Sequence, residues 1–491
     1  MKKSIDKIIM AIAYFYILLP IMIFLLGWYV WYIAIPGTVI LAICFWRICK
    51  DRDIMSFNFE WNKHDIEKAI FCVGIIALWV YFSGVGALVS QNSDHAYRNA
   101  IFEILVGYDW PVVKELLIDE TIQTKGMIYY IGFWLPSAVV GKLFGVRMGY
   151  CFQTLWALVG ISLFYYLICV VRKKIEIWPL VSFIFFSGLD IWGYYIVGND
   201  MELLNGTNHI EWWSTLFQFS SFTTQLYWVF NQAIYAWLIF MLLYVQKSNR
   251  YMVLILGCTL LSSTLPFVGM LPFFCLFVLT RQYDSCVWGR KEWRRAFGQD
   301  LFTFENILGG GVAGVFSFLY LIGNLSGQQV ELTNTEVSRL GYIMTVVVFI
   351  FVEVGVWWLA IYKYHKKNSL LYMVLGWLCV CPLINVGSGG DFCMRASIPA
   401  LVVLYILVLQ TLENAYEKRD FLVCTFLIGV LLIGSVTSMN EINRVISDTS
   451  RKFKENECIY GKRVSDEMIF GAPNFSGDVD KGLYFRYFVK K

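Results

Sequence analysis

The sequence predicts an all-α polytopic membrane protein. Of its 491 residues, 58% are hydrophobic and 18% aromatic, and only 15% are charged; the mean hydropathy of +0.60 lies far above that of water-soluble domains. The charges are also grouped, falling in short clusters between apolar runs of membrane-spanning length rather than along amphipathic faces. The formal net charge of +4 therefore says little about partners. Membrane lipids surround such a chain, and no nucleic-acid partner is expected.

Met1-Lys2-Lys3 precedes apolar residues from Ile8, as in a signal peptide, but the run is long and no small-residue cleavage site closes it. It reads as a retained anchor. Apolar runs predict spans over 8–27, 29–46, 69–89, 149–171, 177–198, 227–246, 306–326, 341–362, 370–386, 397–412 and 421–438. Two runs need a second criterion: 251–280 is interrupted at Leu265-Pro266, and 127–144 contains Pro136 and Lys142. Lys and Arg stay on the cytoplasmic side of short loops. Arg172-Lys173-Lys174, Lys247 with Arg250, the Arg290 to Arg295 cluster and Lys363 to Lys367 all fall inside if 127–144 is an external juxtamembrane helix and 251–280 a broken pair. The expectation is about thirteen transmembrane helices in the plasma membrane, N-terminus in and C-terminus out. A single membrane domain, 1–438, then carries juxtamembrane helices in a large first outer loop, 90–148, and further outer loops at 199–226, 327–340 and 387–396. An outer tail, 439–491, completes the chain.

Thirteen cysteines include Cys44, Cys72, Cys151, Cys169, Cys258 and Cys424, which sit inside apolar runs without ligand spacing and read as core packing. Asp51-Arg52-Asp53 lies in a short inner loop without the soluble fold that gives an Asp-x-Asp pattern its meaning. Gly309-Gly310-Gly311 with Gly314 opens an apolar span and reads as close helix packing. Neither a Walker motif nor His-Glu-x-x-His occurs, which argues against an ATP-driven pump or a membrane zinc protease.

The outer segments carry the candidate chemistry. Ser93-Asp94-His95-Ala96-Tyr97-Arg98 places an acid, an imidazole and a guanidinium at a membrane exit, where ionisable groups mark a site by default. The alternative is helix capping by Ser93 or Asp94 with Arg98 as an anchor. Tyr97, Ala100, Ile101, Ile104, Leu105 and Tyr108 then form a stripe at helical spacing, ending at Asp109-Trp110-Pro111, as in an amphipathic helix on the membrane surface. The next loop offers Asp200, His209, Glu211, Trp212, Trp213, Gln225, Asn231 and Gln232. Acids, amides and Trp faces are suited to sugars, although Trp and Tyr also populate ordinary interface belts. Gly387-Ser388-Gly389-Gly390 leads to Asp391 and Arg395, and an arginine beside flexible glycines suits a lipid-linked phosphate. An Asp391/Arg395 pair at helical spacing could instead stabilise a helix start. Of the four histidines, His95 and His209 are external and neighbour carboxylates, so a bridging divalent cation such as Mg or Mn is conceivable. No metal-ligand motif supports it, and no metal-binding residue is assigned.

Taken in order, the acid at an early helix exit (Asp94-His95), the stretch ending at Trp110-Pro111, Met127 to Pro136 leading to Gly145, Glu211-Trp212-Trp213 through Gln225, Trp228, Asn231 and Gln232, and Asp391 to Arg395 resemble the GT-C superfamily of polytopic glycosyltransferases. The resemblance covers most of 69–412. It implies transfer of a sugar from a polyprenyl-phosphate-linked donor to a cell-envelope glycan, lipid or protein acceptor on the outer face. It puts the general base on Asp94, with Arg395 and Arg98 at the phosphate. His95, Glu211, Gln225, Asn231, Gln232 and Asp391 complete the implied binding set. The chain departs from members with two adjacent acids in the first loop, because His95 follows Asp94 here. A flippase of lipid-linked saccharides usually shows symmetry-related interrupted helices, and only 251–280 is interrupted. A non-enzymatic polymer-assembly subunit is the other competing class.

Overall fold

The computed structural model describes residues 2–51, 61–118, 120–198, 209–280, 300–323, 339–384, 386, 390–458 and 461–490. Helix α1 (Lys2–Trp28) continues through Pro20 and is followed by α2 (Trp31–Lys50). Helix α3 (Lys63–Phe82) starts on a capping box in which Asn62 and Asp65 exchange backbone and side-chain hydrogen bonds. The segment 90–148 folds into α4 (His95–Gly107), strands β1 (Val113–Ile118) and β2 (Thr121–Met127), and α5 (Leu135–Phe144). Next come α6 (Val146–Arg172), the short α7 (Ile177–Ile184) and α8 (Asp190–Ile196), and α9 (Phe222–Val245). They are followed by α10 (Met252–Gly257), α11 (Thr264–Thr280), α12 (Glu305–Ile322), α13 (Leu340–His365) and α14 (Ser369–Leu383). Helix α15 (Asp391–Ala396) leads into α16 (Ile398–Glu417) and α17 (Phe421–Lys454). The tail forms α18 (Asp466–Gly471), β3 (Ser476–Asp478) and α19 (Leu483–Tyr487).

Among the described residues, eight helices are long and apolar enough to cross a membrane: α1, α2, α6, α9, α12, α13, α16 and α17. The chain is thus a mainly helical membrane protein, and other apolar runs take different forms. The run 177–198 is not one helix but two short ones, because the chain breaks at Ser187-Gly188, where a Cβ on Gly188 would strike the Glu353 carboxylate. The run 251–280 is interrupted, but at Cys258 to Ser263 rather than at Leu265-Pro266, which lie in the first turn of α11, and its first piece has only six residues. The expected juxtamembrane helix over 127–144 begins later, at Leu135, because Met127 belongs to β2. Helix α3 ends at Phe82 rather than near residue 89; Gly84 and Gly86 then take positive φ, and Gly86 packs so tightly on α6 that a Cβ would lie 2.8 Å from the Tyr150 carbonyl oxygen.

Helices α9 and α16 are the most buried of the spans. Their packing is organised by aromatic rings: Trp237 stacks on Trp79 with centroids 6.0 Å apart and meets Phe183 edge-on at 5.3 Å, and Phe183 meets Tyr405 at 5.3 Å. Trp31, Tyr32 and Trp46 of α2, Phe351 and Leu359 of α13, and Phe421 and Leu422 of α17 are exposed. Such an apolar surface suits hydrocarbon better than water.

The tail is part of the fold rather than a loose appendage. Strand β3 adds antiparallel to β2, pairing Lys125 with Asp478 and Met127 with Ser476, so residues about 350 apart in sequence share one three-stranded sheet. Helix α4 does not lie free on the membrane surface as expected. Its Phe102 packs on Tyr150 of α6 (4.7 Å), while the Val464 amide donates to the Ala96 carbonyl and the Asn99 amide side chain to that of Lys462. Further bonds join Tyr108 to Asp466 (2.8 Å) and Lys114 to Glu467 (2.8 Å). Helix α17 runs on to Lys454, and the Ser90 amide donates to Thr449 in its last turns.

At the opposite end of α6, about 40 Å away at 1.5 Å per residue, Arg172 pairs with Glu176 and Glu413. Single cysteines at the exposed positions Tyr97, Trp212 and Lys481 should therefore react with an impermeant maleimide from one side of sealed vesicles. Cysteines at Lys173 and Lys366, both exposed at the other end, should react only after permeabilisation. Split labelling within either set would contradict this arrangement.

Candidate functional site

Asp94 precedes the first turn of α4, and Arg98 lies one turn on, so Asp94 Oδ2 accepts from Arg98 Nη2 at 3.1 Å. The Asp94 side chain is 46% exposed and that of Arg98 only 7%. The Arg98 guanidinium sits over the Phe230 ring, 5.7 Å from its centroid, and its Nε and Nη1 have no hydrogen-bond acceptor among the described residues. In α15 the same spacing recurs: Arg395 Nη1 lies 3.1 Å from Asp391 Oδ2, while Arg395 Nε is buried without an acceptor. The turn before it, at Gly390, has φ +77°, which favours glycine there.

The two pairs belong to one site. Burial opposes the Arg395 charge, but Tyr130, Asp391, Tyr129 and Asp94 outweigh it and hold this guanidinium above its ordinary pKa. Arg395 and Arg98 also both act on Tyr129. Tyr129 and Tyr130 are half-buried, with ring centroids 3.7 Å apart. Phe475 of the tail meets Tyr129 at 4.9 Å, and the Ile128 amide donates to the Phe475 carbonyl (2.9 Å). Two arginines with open N–H groups thus act on a tyrosine pair that the tail braces. Such a set of donors can grip an oxyanion through charge-assisted bonds.

His95 braces the turn that carries Asp94 and Arg98. Its Nε2 contacts the Tyr227 carbonyl oxygen (3.0 Å), its Nδ1 contacts Gln91 Nε2 (3.1 Å), and its ring stacks on Phe230. Burial first, and Arg98 second, push its pKa down to about 3, so it stays neutral. Asn231 and Gln232 sit just past the Val229 kink in α9, both buried, and Asn231 Nδ2 and Gln232 Oε1 have no protein partner among the described residues. Gln225 is differently placed: Nε2 donates to the Ser220 carbonyl and Oε1 accepts from Trp237 Nε1 (2.8 Å), so its amide is engaged in the core.

Glu211 belongs to a second, internal cluster. Its Oε1 accepts from the Ser221 amide (2.9 Å) and the Thr224 hydroxyl (2.6 Å), and its Oε2 from Gln218 (2.7 Å). His209 Nδ1 lies 2.9 Å from Glu441 Oε1; Glu441 also pairs with Arg444 and accepts from Trp228 Nε1. Asp190 and Glu353 complete the cluster. Both are single acids inside apolar runs, so the cost of charge in hydrocarbon could have flagged them from sequence. Tyr129 and Tyr130 lay within the Met127 to Pro136 segment without being singled out as site residues, and Phe475 carried no comparable signal. Asp200 lies outside the described residues.

Residues suited to a resident divalent ion are few around Asp94 and Asp391. Asp94 and Asp391 each face an arginine, both nitrogens of His95 are engaged, and the described residues contain no trio of His, Cys, Asp or Glu side chains arranged to hold a metal. No family model, curated protein or solved structure matches the chain.

Burial, and then Asp190, push the Glu211 pKa from 4.5 up to about 7. The folded state therefore keeps a proton that the unfolded chain releases, and this stabilisation is lost as pH rises from about 4.5 through about 7. Thermal melts should show the Glu211 contribution shrinking across that window, and Glu211→Gln should flatten the pH dependence there.

Proposed function

We propose that the chain is a GT-C-type glycosyltransferase that moves a sugar from a polyprenyl-phosphate-linked donor to a hydroxyl-bearing acceptor on the outer membrane face. The observation that carries this reading is the pair of largely buried arginines, Arg98 and Arg395, with open N–H groups, both acting on Tyr129, together with an accessible carboxylate, Asp94, that pairs with Arg98. An anion held at a membrane boundary next to a base is what transfer from a lipid phosphate requires. The acceptor O–H gives its proton to Asp94 as its oxygen bonds the anomeric carbon. The bond from that carbon to the phosphate oxygen breaks, and the phosphate leaves with the electron pair, stabilised by Arg395 and Arg98.

Other residues take supporting parts. Asp391 orients Arg395 through its ion pair, and His95, held neutral, fixes the turn that carries Asp94 and Arg98. The open amide atoms of Asn231 and Gln232 suit sugar hydroxyls. Gln225 and Glu211 stabilise the walls through their internal hydrogen bonds. The reaction, as proposed, takes place in the plasma membrane with the cell envelope supplying the acceptor.

The test is transfer of labelled sugar from defined polyprenyl-phosphate donors to a panel of acceptors by protein reconstituted in vesicles. Asp94→Asn should lower turnover by about a hundredfold or more, the usual worth of a general base, with donor binding retained. Transfer unchanged by Asp94→Asn would refute the assignment. Movement of intact labelled lipid across the bilayer without transfer would favour a flippase instead.

A further inference from the structure

We propose that Asp190 and Glu353 form a proton-binding site inside the membrane domain, in which two facing carboxyl groups share one proton. Asp190 opens α8 with 1% exposure, and Glu353 lies midway along α13 with 2%. Asp190 Oδ2 accepts from the Ser187 hydroxyl (2.5 Å) and the Thr437 hydroxyl (3.0 Å). Glu353 Oε1 accepts from Trp213 Nε1 (2.8 Å), while Glu353 Oε2 receives no N–H or O–H donor from the described residues. That oxygen is pressed against Gly188, inside the turn that Ser187 opens and Asp190 closes, which brings the two acids to one place, and each acts on the ionisation of the other. Two carboxyls can bond to each other only when one carries a proton.

Charge balance around the pair leads to the same conclusion. The titratable groups acting on it are Glu211 and His209 from the segment after α8 and Cys393 of α15, and behind them Glu441 and Arg444 of α17 act on His209. Both cations are engaged by Glu441. Asp190 and Glu353 have no lysine or arginine partner among the described residues, and an uncompensated carboxylate pair cannot stay ionised at such burial. The backbone is also specialised here: Glu353 sits in a π-helical turn, Phe351–Gly355, and such turns inside helices occur frequently at functional sites.

The experiment is infrared difference spectroscopy of the full chain in lipid vesicles, following the C=O band of protonated carboxyl groups during a pH titration. Wild-type protein should keep one such band, sensitive to H/D exchange, after Glu211 has released its proton near pH about 7. Glu353→Gln and Asp190→Asn should each abolish it. Absence of the band in folded wild-type protein would overturn the proposal, and this arm needs no variant to fold. Persistence of the band in both folded variants, or recovery of one stoichiometric metal ion per chain by elemental analysis, would also overturn it.

Discussion

Two guanidinium groups that the fold buries with some of their N–H donors unmet set the terms for the end of this protein that carries α4 and α15. Arg98 has one carboxylate, one aromatic face and two open N–H directions. Arg395 repeats the pattern with Asp391. Unmet donors at such depth are costly unless something else meets them. Much of the surrounding structure holds them in place: the kinked α9 supplies Phe230, the Gly390 turn aims α15, and β3 fixes the end of β2, from which Tyr129 and Tyr130 follow directly. Removing any of these supports would move a charge rather than only loosen a contact.

The internal acid cluster obeys the same constraint with the opposite sign. Its carboxyls gather hydroxyl, amide and indole donors, and where donors run out a proton is the remaining partner. The two clusters meet where the 210–217 segment passes Gly390: a Cβ on Gly390 would lie 3.1 Å from the Leu216 carbonyl oxygen. The arginine-bearing helix α15 and the segment that carries the acid cluster are thus neighbours in the fold.

Local rules made part of this legible in the sequence. The four-residue spacing of Asp94 with Arg98 and of Asp391 with Arg395 is a helix-surface relation, and both ion pairs exist. The stripe from Ala100 to Leu105 is helical, and the basic clusters at Arg172 and Lys363 both lie at helix ends. Non-local contacts hid the rest. The partner of β2 comes from about 350 residues further on, so no period in 113–127 announces it. The break at Gly188 follows from the Glu353 side chain of a distant helix, and hydropathy averaged over a span cannot register that contact. Glu211 looked like a loop acid near a histidine, and only tertiary burial turned it into a core group.

In the proposed reaction Arg98 and Arg395 together bind the phosphate of a lipid. Native mass spectrometry of the intact protein with a polyprenyl monophosphate measures this most directly, with a neutral polyprenol of equal length as control. The account predicts one phosphate lipid bound per chain, retained over the alcohol, and weakened about tenfold or more by either Arg98→Ala or Arg395→Ala, as loss of a charge-assisted contact implies. Equal retention of lipid phosphate and alcohol, or binding that survives loss of both arginines, would contradict it.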